Sequence, residues 1–512
     1  MKKFYVTTPL YYVNASPHIG HAYTTIAADI VARHRRQKGS EVHFLTGTDE
    51  HGSKVDEVAR AAGEEPQAYA DKIALEFADL WKHLDICYDD FIRTTEPRHS
   101  ERVQATFEHL IKKGDIYKGM YKGYYCVSDE TYWTETEAPP DKEGRRLCPN
   151  QDCRRELKLT EEESYFFKLS KYEGPLLEHY EKNPGFLQPK QRAKEIVNFV
   201  KEGLRDLAVS RSKLAWGIPV TSDPKHVVYV WWDALQNYIT ATGYRPPGMD
   251  GDQGEYESLW PADVHFVGKE IYRFHTVIWP ALLMALEVPL PAAVFAHGWW
   301  TVEGEKMSKT KGNFINPHDI TREFGVDVFR YFLFREMPFG NDGNFSHESL
   351  RRRYNAELAN DLGNLISRVT NMVDKYLGGD LPGKPDMERM TVSRDSIEAA
   401  TGIDEAMHRM AFQDALNRIW AVVGKLNLHV DQKKPWAMAK TDPEGVRWLL
   451  FDLVCSLRMI GGWLTPFMPQ TSAKIHSLLG VRRVPTPLTA EQVLSGDMGK
   501  KIAKGPPLFP RK

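Results

Sequence analysis

Pro17-His-Ile-Gly-His21 closes the loop Pro9-Leu-Tyr-Tyr-Val-Asn-Ala-Ser16 and opens a helix. Proline is pre-shaped for a first helical turn. Ahead of it, Lys2 to Thr8 is rich in β-branched and aromatic residues and reads as a buried strand. Behind it, Ile19, Tyr23, Ile26, Ala27, Ile30 and Val31 recur at helical spacing. The order strand, loop, helix N-terminus brings unpaired amides and the positive end of a dipole to one point, which favours an anionic ligand. His18 and His21, one turn apart, add donors facing the same way. Gly20 carries no side chain, so a flat or bulky ligand fits close to the backbone. Taken alone, a surface helix start with two histidines explains the tetrapeptide equally well. Far downstream, Gly304-Glu-Lys-Met-Ser-Lys-Thr-Lys-Gly312 sets three lysines in a glycine-bounded polar stretch. Lysine is a mobile point charge suited to phosphate, although a charge run by itself reads as a solvated loop.

Composition bounds the rest. At 512 residues the chain holds roughly three or four domains. With 27% charged and 42% hydrophobic residues and a net charge of -2, no global basic field draws it to nucleic acid, so RNA contact must rest on local patches and shape. Nothing in the composition points to DNA. No signal-peptide run follows the N-terminal lysines, and the apolar window Ile278 to Ala296 is broken by Glu287 and prolines; a cytoplasmic chain without a membrane span is expected. Five cysteines, an odd number, do not make a disulfide framework, and Cys87 and Cys455 read as buried apolar residues in amphipathic helices.

Up to about Asp115 strand and helix alternate, the opening of a parallel α/β sheet. Thr46-Gly-Thr-Asp-Glu-His-Gly52 follows the second strand, where ligands of open α/β folds sit; Asp49 and His51 are therefore candidates, with a helix cap the other use of Asp49. Tyr117 to Arg211 changes to short strands and charged loops. There Cys148 and Cys153 fit half of a zinc knuckle and Cys126 with Asp129 the other half, a knuckle that binds nothing being the alternative. Val227 to Ala234 reads as a strand ending in two tryptophans, followed by a helix with Tyr238. Phe274, His275, Ile278 and Trp279 share a helical face. After about Pro317 the chain turns helical, with helices expected over Val392 to Met410, Gln413 to Val430, Pro443 to Leu464 and Thr471 to Leu479.

The two basic stretches together resemble the paired signatures of class I aminoacyl-tRNA synthetases, His-Ile-Gly-His and Lys-Met-Ser-Lys-Ser, with Thr310 keeping the hydroxyl of the final serine. The insertion is too short for an editing domain, which disfavours leucine, isoleucine and valine as substrates, because a pocket separates methylenes by only about 1–3 kcal/mol. Over almost its whole length the chain is most similar to the methionyl-tRNA synthetase family. That resemblance implies an α/β fold: a Rossmann-like parallel-sheet catalytic domain (1–115 and 212–345) split by a connective zinc-knuckle-like insertion (116–211), then an all-α anticodon-binding bundle (346–512). It implies ATP with Mg²⁺ and possible Zn²⁺ as cofactors, L-methionine and tRNA(Met) as partners, and, with no room for an appended domain, a monomer.

The residue roles it implies are these. His18 and His21 meet the ATP α-phosphate, Gly20 admits adenine, Lys306 and Lys309 meet the pyrophosphate, Ser308 and Thr310 also bind ATP, and Asp49 is a catalytic-site acid. Leu10, Tyr12, Trp231, Ala234, Tyr238, Phe274 and His275 fall where that family contacts methionine, and by residue type these together with Trp279 read as a pocket suited to a thioether. Glu270 grips the amino group, at a position where the family more often has aspartate. Asn364, Arg368 and Trp436 read the anticodon by stacking and hydrogen bonds; for Trp436 a core position is the alternative. Arg351 to Arg353 read as a solvated helix start or a phosphate contact. Rival readings are another class I synthetase without editing, a small nucleotidyltransferase, or a catalytically silent tRNA-binding factor.

Overall fold

Seven strands, paired in parallel, make the central sheet of the computed structural model, in the order Tyr11–Tyr12, Val42–Asp49, Phe4–Thr7, Val264–Gly268, Val294–His297, Leu187–Gln188, with Asp90–Arg93 branching from Val42–Asp49. The structure describes residues 2–127, 131–133, 135–150, 153–306, 314–382, 388–481 and 501–512, with the side chains of 131, 132, 305 and 306 left out. Tyr5 to Thr7 is buried on both faces, as a parallel strand between neighbours must be. The chain divides into two compact units, one made of 1–17, 43–82 and 88–296, the other of 18–42, 83–87 and 297–512.

The first unit holds the sheet and a four-stranded antiparallel insertion, in the order Thr131–Trp133, Ile116–Cys126, Lys158–Phe167, Leu207–Ala208. The long pair registers Tyr117 against Phe166, whose rings stack at 5.7 Å. One expectation is corrected here. Only Val227–Val228 is strand, and Val230–Ala234 is a short helix started by Tyr229. The run of valines and aromatics has high strand propensity, but burying Trp232 and turning Asp233 inward overrides it.

The second unit is helical. Ile19–Gln37 is buried on nearly every side, and Pro317–Phe324 and Val326–Arg335 belong to the same unit. The helical run from His347 to Leu377 contains a π-helical stretch over Tyr354–Gly363. Val392–His408, Phe412–Lys433, Pro443–Leu464 and Pro469–Leu478 lie within a residue or two of the spans read from periodicity, apart from a longer end at Lys433. Asp452, buried on Pro443–Leu464, accepts the backbone N–H groups of Thr391, Val392 and Ser393 and so caps the start of Val392–His408 from a neighbouring helix. Cys455 is buried as expected, and burial pushes its thiol up to about 12. Cys87 is corrected: it lies exposed in a loop, with the Arg33 guanidinium donating to its sulfur at 2.8 Å. No helix among the described residues is long and apolar enough to cross a membrane.

Candidate active site

In the first unit, the carboxyl ends of three adjacent strands deliver the residues of one recess. Phe4–Thr7 leads to Pro9 and Leu10, Val42–Asp49 ends on Asp49, and Val264–Gly268 leads to His275; Trp231, Ala234, Leu235, Asn237 and Tyr238 complete the wall. Of the expected pocket residues, Leu10, Trp231, Ala234, Tyr238 and His275 line it, and so does Asp49. Phe274 stands behind it, stacked on Trp231 at 4.0 Å and 14°. Tyr12 and Glu270 are outside the lining, Tyr12 facing the Lys54 ammonium and Glu270 exposed. Trp279 is corrected to core: fully buried, it packs edge-on against Trp260 and donates its indole N–H to His265.

The loop bearing Asp49 is held tightly. Glu50 accepts two bonds from Arg93, at 2.6 and 2.9 Å, and its backbone carbonyl accepts the Trp216 indole. A side chain at Gly47 would strike the Ile92 carbonyl at 1.9 Å and Leu10 at 2.9 Å, so only glycine lets these segments meet. The N-cap of the following helix is Gly52, which removes capping as the use of Asp49. His51, the other candidate of this loop, donates from Nδ1 to Asp233 at 2.7 Å. The second Asp233 oxygen takes His99 Nε2 at 2.7 Å, and His99 Nδ1 meets the Thr240 hydroxyl. Burial raises the Asp233 carboxyl, but His51 and His99 outweigh it and hold it below its ordinary value. This anchor fixes the short helix that presents Trp231 and Ala234.

In the second unit, the histidine turn is built differently from the expectation in one respect. The N-cap is His18, not a residue ahead of Pro17, so proline precedes the helix instead of occupying its first turn. His18 Nδ1 accepts the Gly20 N–H at 3.0 Å and His21 Nδ1 accepts the His18 N–H at 3.2 Å, a capping box made of two imidazoles. With Nδ1 of each ring accepting, Nε2 carries the hydrogen in the neutral form. Burial, and then the neighbouring His18, push the His21 pKa well below its ordinary value. The rings stack at 3.8 Å, and a Cβ at Gly20 would come within 2.9 Å of the His18 ring. His18 also meets Phe314 edge-on at 5.0 Å, at the downstream end of the lysine stretch.

That stretch begins as a hairpin. Trp300–Val302 pairs antiparallel with Glu305–Lys306 through a two-residue turn in which Glu303 and Gly304 both have positive φ, 48° and 82°. Ser308, Lys309 and Thr310 lie outside the described residues, as does the Lys306 side chain. In the same unit, Asn364 and Arg368 stand one turn apart on a helix. Arg368 pairs with Asp431 at 2.6 Å and lies 5.8 Å above the ring of Trp436, which is 45% exposed and therefore not core. Arg351 and Arg353 pair with Glu323 and with Glu336 and Glu357.

Residues 4–370 match the family model described as tRNA synthetases class I (M). A methionine–tRNA ligase of Caldanaerobacter subterraneus subsp. tengcongensis is 49% identical over 518 residues, covering 100% of this chain and 79% of that protein. The chain belongs to the methionine–tRNA ligase family of class I tRNA synthetases. Another member, from Streptomyces coelicolor, is 46% identical, covering 100% of this chain and 97% of its own length. Mycobacterium tuberculosis methionyl-tRNA synthetase, solved in complex with methionyl-adenylate, matches with a TM-score of 0.92 at 39% identity, covering 100% of both chains.

For this methionine–tRNA ligase family member, sequence reasoning missed Pro9, Leu235 and Asn237 in the recess and the Asp233 anchor beneath it. Asp233 was visible as an acid beside the tryptophans, but its partners are 182 and 134 residues away. The buried imidazoles carry a pH dependence. Burial pushes His34 and His275 down to about 4, and His21 and His265 well below their ordinary value. The unfolded chain therefore binds protons from pH about 6.5 downward while the folded one does not, so stability is full above pH 6.5 and falls toward pH 4. Thermal melts across that range are expected to show a steady drop in midpoint; a flat profile contradicts buried, neutral rings.

Proposed function

We propose that the chain is a methionine–tRNA ligase that activates L-methionine with ATP and transfers the methionyl group to the 3′ end of tRNA(Met). The observation that carries this reading is the Leu10, Asp49, Trp231, Ala234, Tyr238 and His275 recess in a chain that a member of that family matches over all of this sequence. The thioether lies along the Trp231 face, where sulfur–aromatic contact is favourable, and the Asp49 carboxylate takes the ammonium in place of the exposed Glu270.

A methionine carboxylate oxygen attacks the α-phosphorus of ATP, bound as its Mg²⁺ complex, and the bond to pyrophosphate breaks. The terminal ribose hydroxyl of the tRNA then attacks the methionyl carbonyl and AMP leaves. His18 and His21, as neutral Nε2–H donors, stabilise charge on the α-phosphate, and Lys306, Ser308, Lys309 and Thr310 that on pyrophosphate. Gly20 leaves room for the nucleoside and keeps the His18 ring in place. No protein nucleophile is required, because alignment and charge stabilisation supply the acceleration. Asn364, Arg368 and exposed Trp436 read anticodon bases. Incubation with unfractionated tRNA, ATP and each labelled amino acid is expected to charge methionine alone; charging of another amino acid, or none, contradicts the reading.

The Cys126, Cys148 and Cys153 thiols gather with their sulfurs within 4.8 Å of one another, Cys126 and Cys153 at 3.5 Å, close to the roughly 3.8 Å between thiolates on one tetrahedral zinc. They fit a structural Zn²⁺ that ties the insertion together; Asp129, the fourth expected ligand, lies outside the described residues. Protein purified without chelator is expected to carry about one zinc, lost in Cys148→Ser. Metal-free wild-type protein contradicts the assignment.

A further inference from the structure

At one wall of the recess the hydrogen bonds have a fixed direction. His275 Nδ1 lies 2.9 Å from the Ile271 carbonyl oxygen, which only accepts, so Nδ1 carries the ring hydrogen. The Tyr238 hydroxyl lies 2.6 Å from Nε2 of the same ring. His275 is buried and its pKa is pushed down to about 4, so at neutral pH Nε2 accepts and Tyr238 is the donor. Burial also raises the Tyr238 pKa, with the Asn237 amide hydrogen-bonding its oxygen in opposition, so the hydroxyl keeps its hydrogen. Asn237 Nδ2 donates to the Ala234 carbonyl at 2.6 Å, which fixes the amide orientation. Its Oδ1 is buried and makes no hydrogen bond among the described residues. The imidazole, phenol and amide hydrogens are thus committed within the protein. The Tyr238 and Asn237 oxygens keep acceptor lone pairs for a ligand, while the one acceptor lone pair of the His275 ring is taken by Tyr238.

Resting on the methionine assignment of this site, we infer that the pocket excludes methionine sulfoxide through this committed hydrogen-bond chain, with His275 the residue that sets the exclusion. A thioether is a weak acceptor and loses little where the side-chain hydrogens around it are committed elsewhere. A sulfoxide oxygen is a strong acceptor, polar and heavily hydrated; here it leaves water and meets other acceptors. Shape contributes less, since one extra oxygen alone is poorly rejected by an apolar pocket. Charging therefore keeps free methionine that has been oxidised out of the product.

The test is ATP–pyrophosphate exchange with L-methionine and with each sulfoxide epimer. In wild type the sulfoxides are expected to show kcat/KM at least ~100-fold below methionine. His275→Ala frees the Tyr238 hydroxyl to donate to the ligand. The sulfoxide-to-methionine ratio is then expected to rise at least ~10-fold even if both activities fall, and His275→Ala combined with Tyr238→Phe is expected to abolish that rise. Wild-type activity on a sulfoxide within about tenfold of methionine, or an unchanged ratio in His275→Ala, overturns the inference. If His275→Ala does not fold, thermal shift of wild type decides. Methionine raises the midpoint and an equal concentration of sulfoxide does not; equal shifts overturn it. Failure of wild type to activate methionine at all is a different result, and rejects the methionine assignment itself.

Discussion

His18→Asn is expected to slow adenylate formation by ~10²–10³-fold while moving the melting midpoint by no more than about 2 °C. His18 has two jobs on two ring nitrogens. Nδ1 caps Ile19–Gln37 by accepting the Gly20 N–H, and Nε2 bears the hydrogen assigned to the α-phosphate. Asparagine is among the best N-cap residues, so the helix start and its His21 partner survive. It has no second donor at the reach of Nε2, and loss of one preorganised donor to developing charge typically costs about 10²–10³ in rate. Methionine binding, which belongs to the recess of the other unit, is expected to change little. If His18→Asn keeps full exchange activity, the histidine pair is a capping device and nothing more. If it loses the fold, the cap is not replaceable.

Asp29→Asn is expected to cause the largest single loss of stability. Arg330 is completely buried and every nitrogen of its guanidinium is engaged: with Asp29 Oδ2 at 2.6 Å, with the carbonyls of Pro466 and Phe467 at 2.9 and 3.1 Å, and with Leu84 at 3.2 Å. Asp29 also takes Arg33 Nε and the Cys87 N–H. Removing the carboxylate charge strands a guanidinium out of water, which costs about 3–5 kcal/mol and lowers the midpoint by on the order of 10 °C. The pair Asp29→Leu with Arg330→Met, which removes both charges, is expected to cost less than the sum of the single changes. A midpoint unchanged in Asp29→Asn contradicts a dry pair. The effect bears on function because Asp29 stands on the helix that His18 caps, and Arg330 on Val326–Arg335 ties that helix to the turn at Pro466.

The features legible in the sequence were those written in local pattern. The strand, loop and helix around residue 18 and the four C-terminal helices follow from spacing and propensity. The aromatic recess was legible only in part. Trp231 and Tyr238 line it, whereas Trp279 at the same helical spacing turned into the core, because periodicity names a face and not what that face meets. Val230–Ala234 was misread as strand because its conformation answers to Asp233, held by His51 and His99 across the fold. The helix start was read two residues early, with Pro17 in the first turn, since imidazole is an uncommon capping group and proline a common first residue. Cys87 was misread as core because nothing in its neighbours reveals that Arg33 meets it in a loop.

The most direct measurement is ATP–pyrophosphate exchange on the intact chain with each of the twenty amino acids presented singly, in the absence of tRNA. Exchange is expected with L-methionine and with no other. Exchange with a different amino acid, or none with methionine from protein that is folded, would contradict the account.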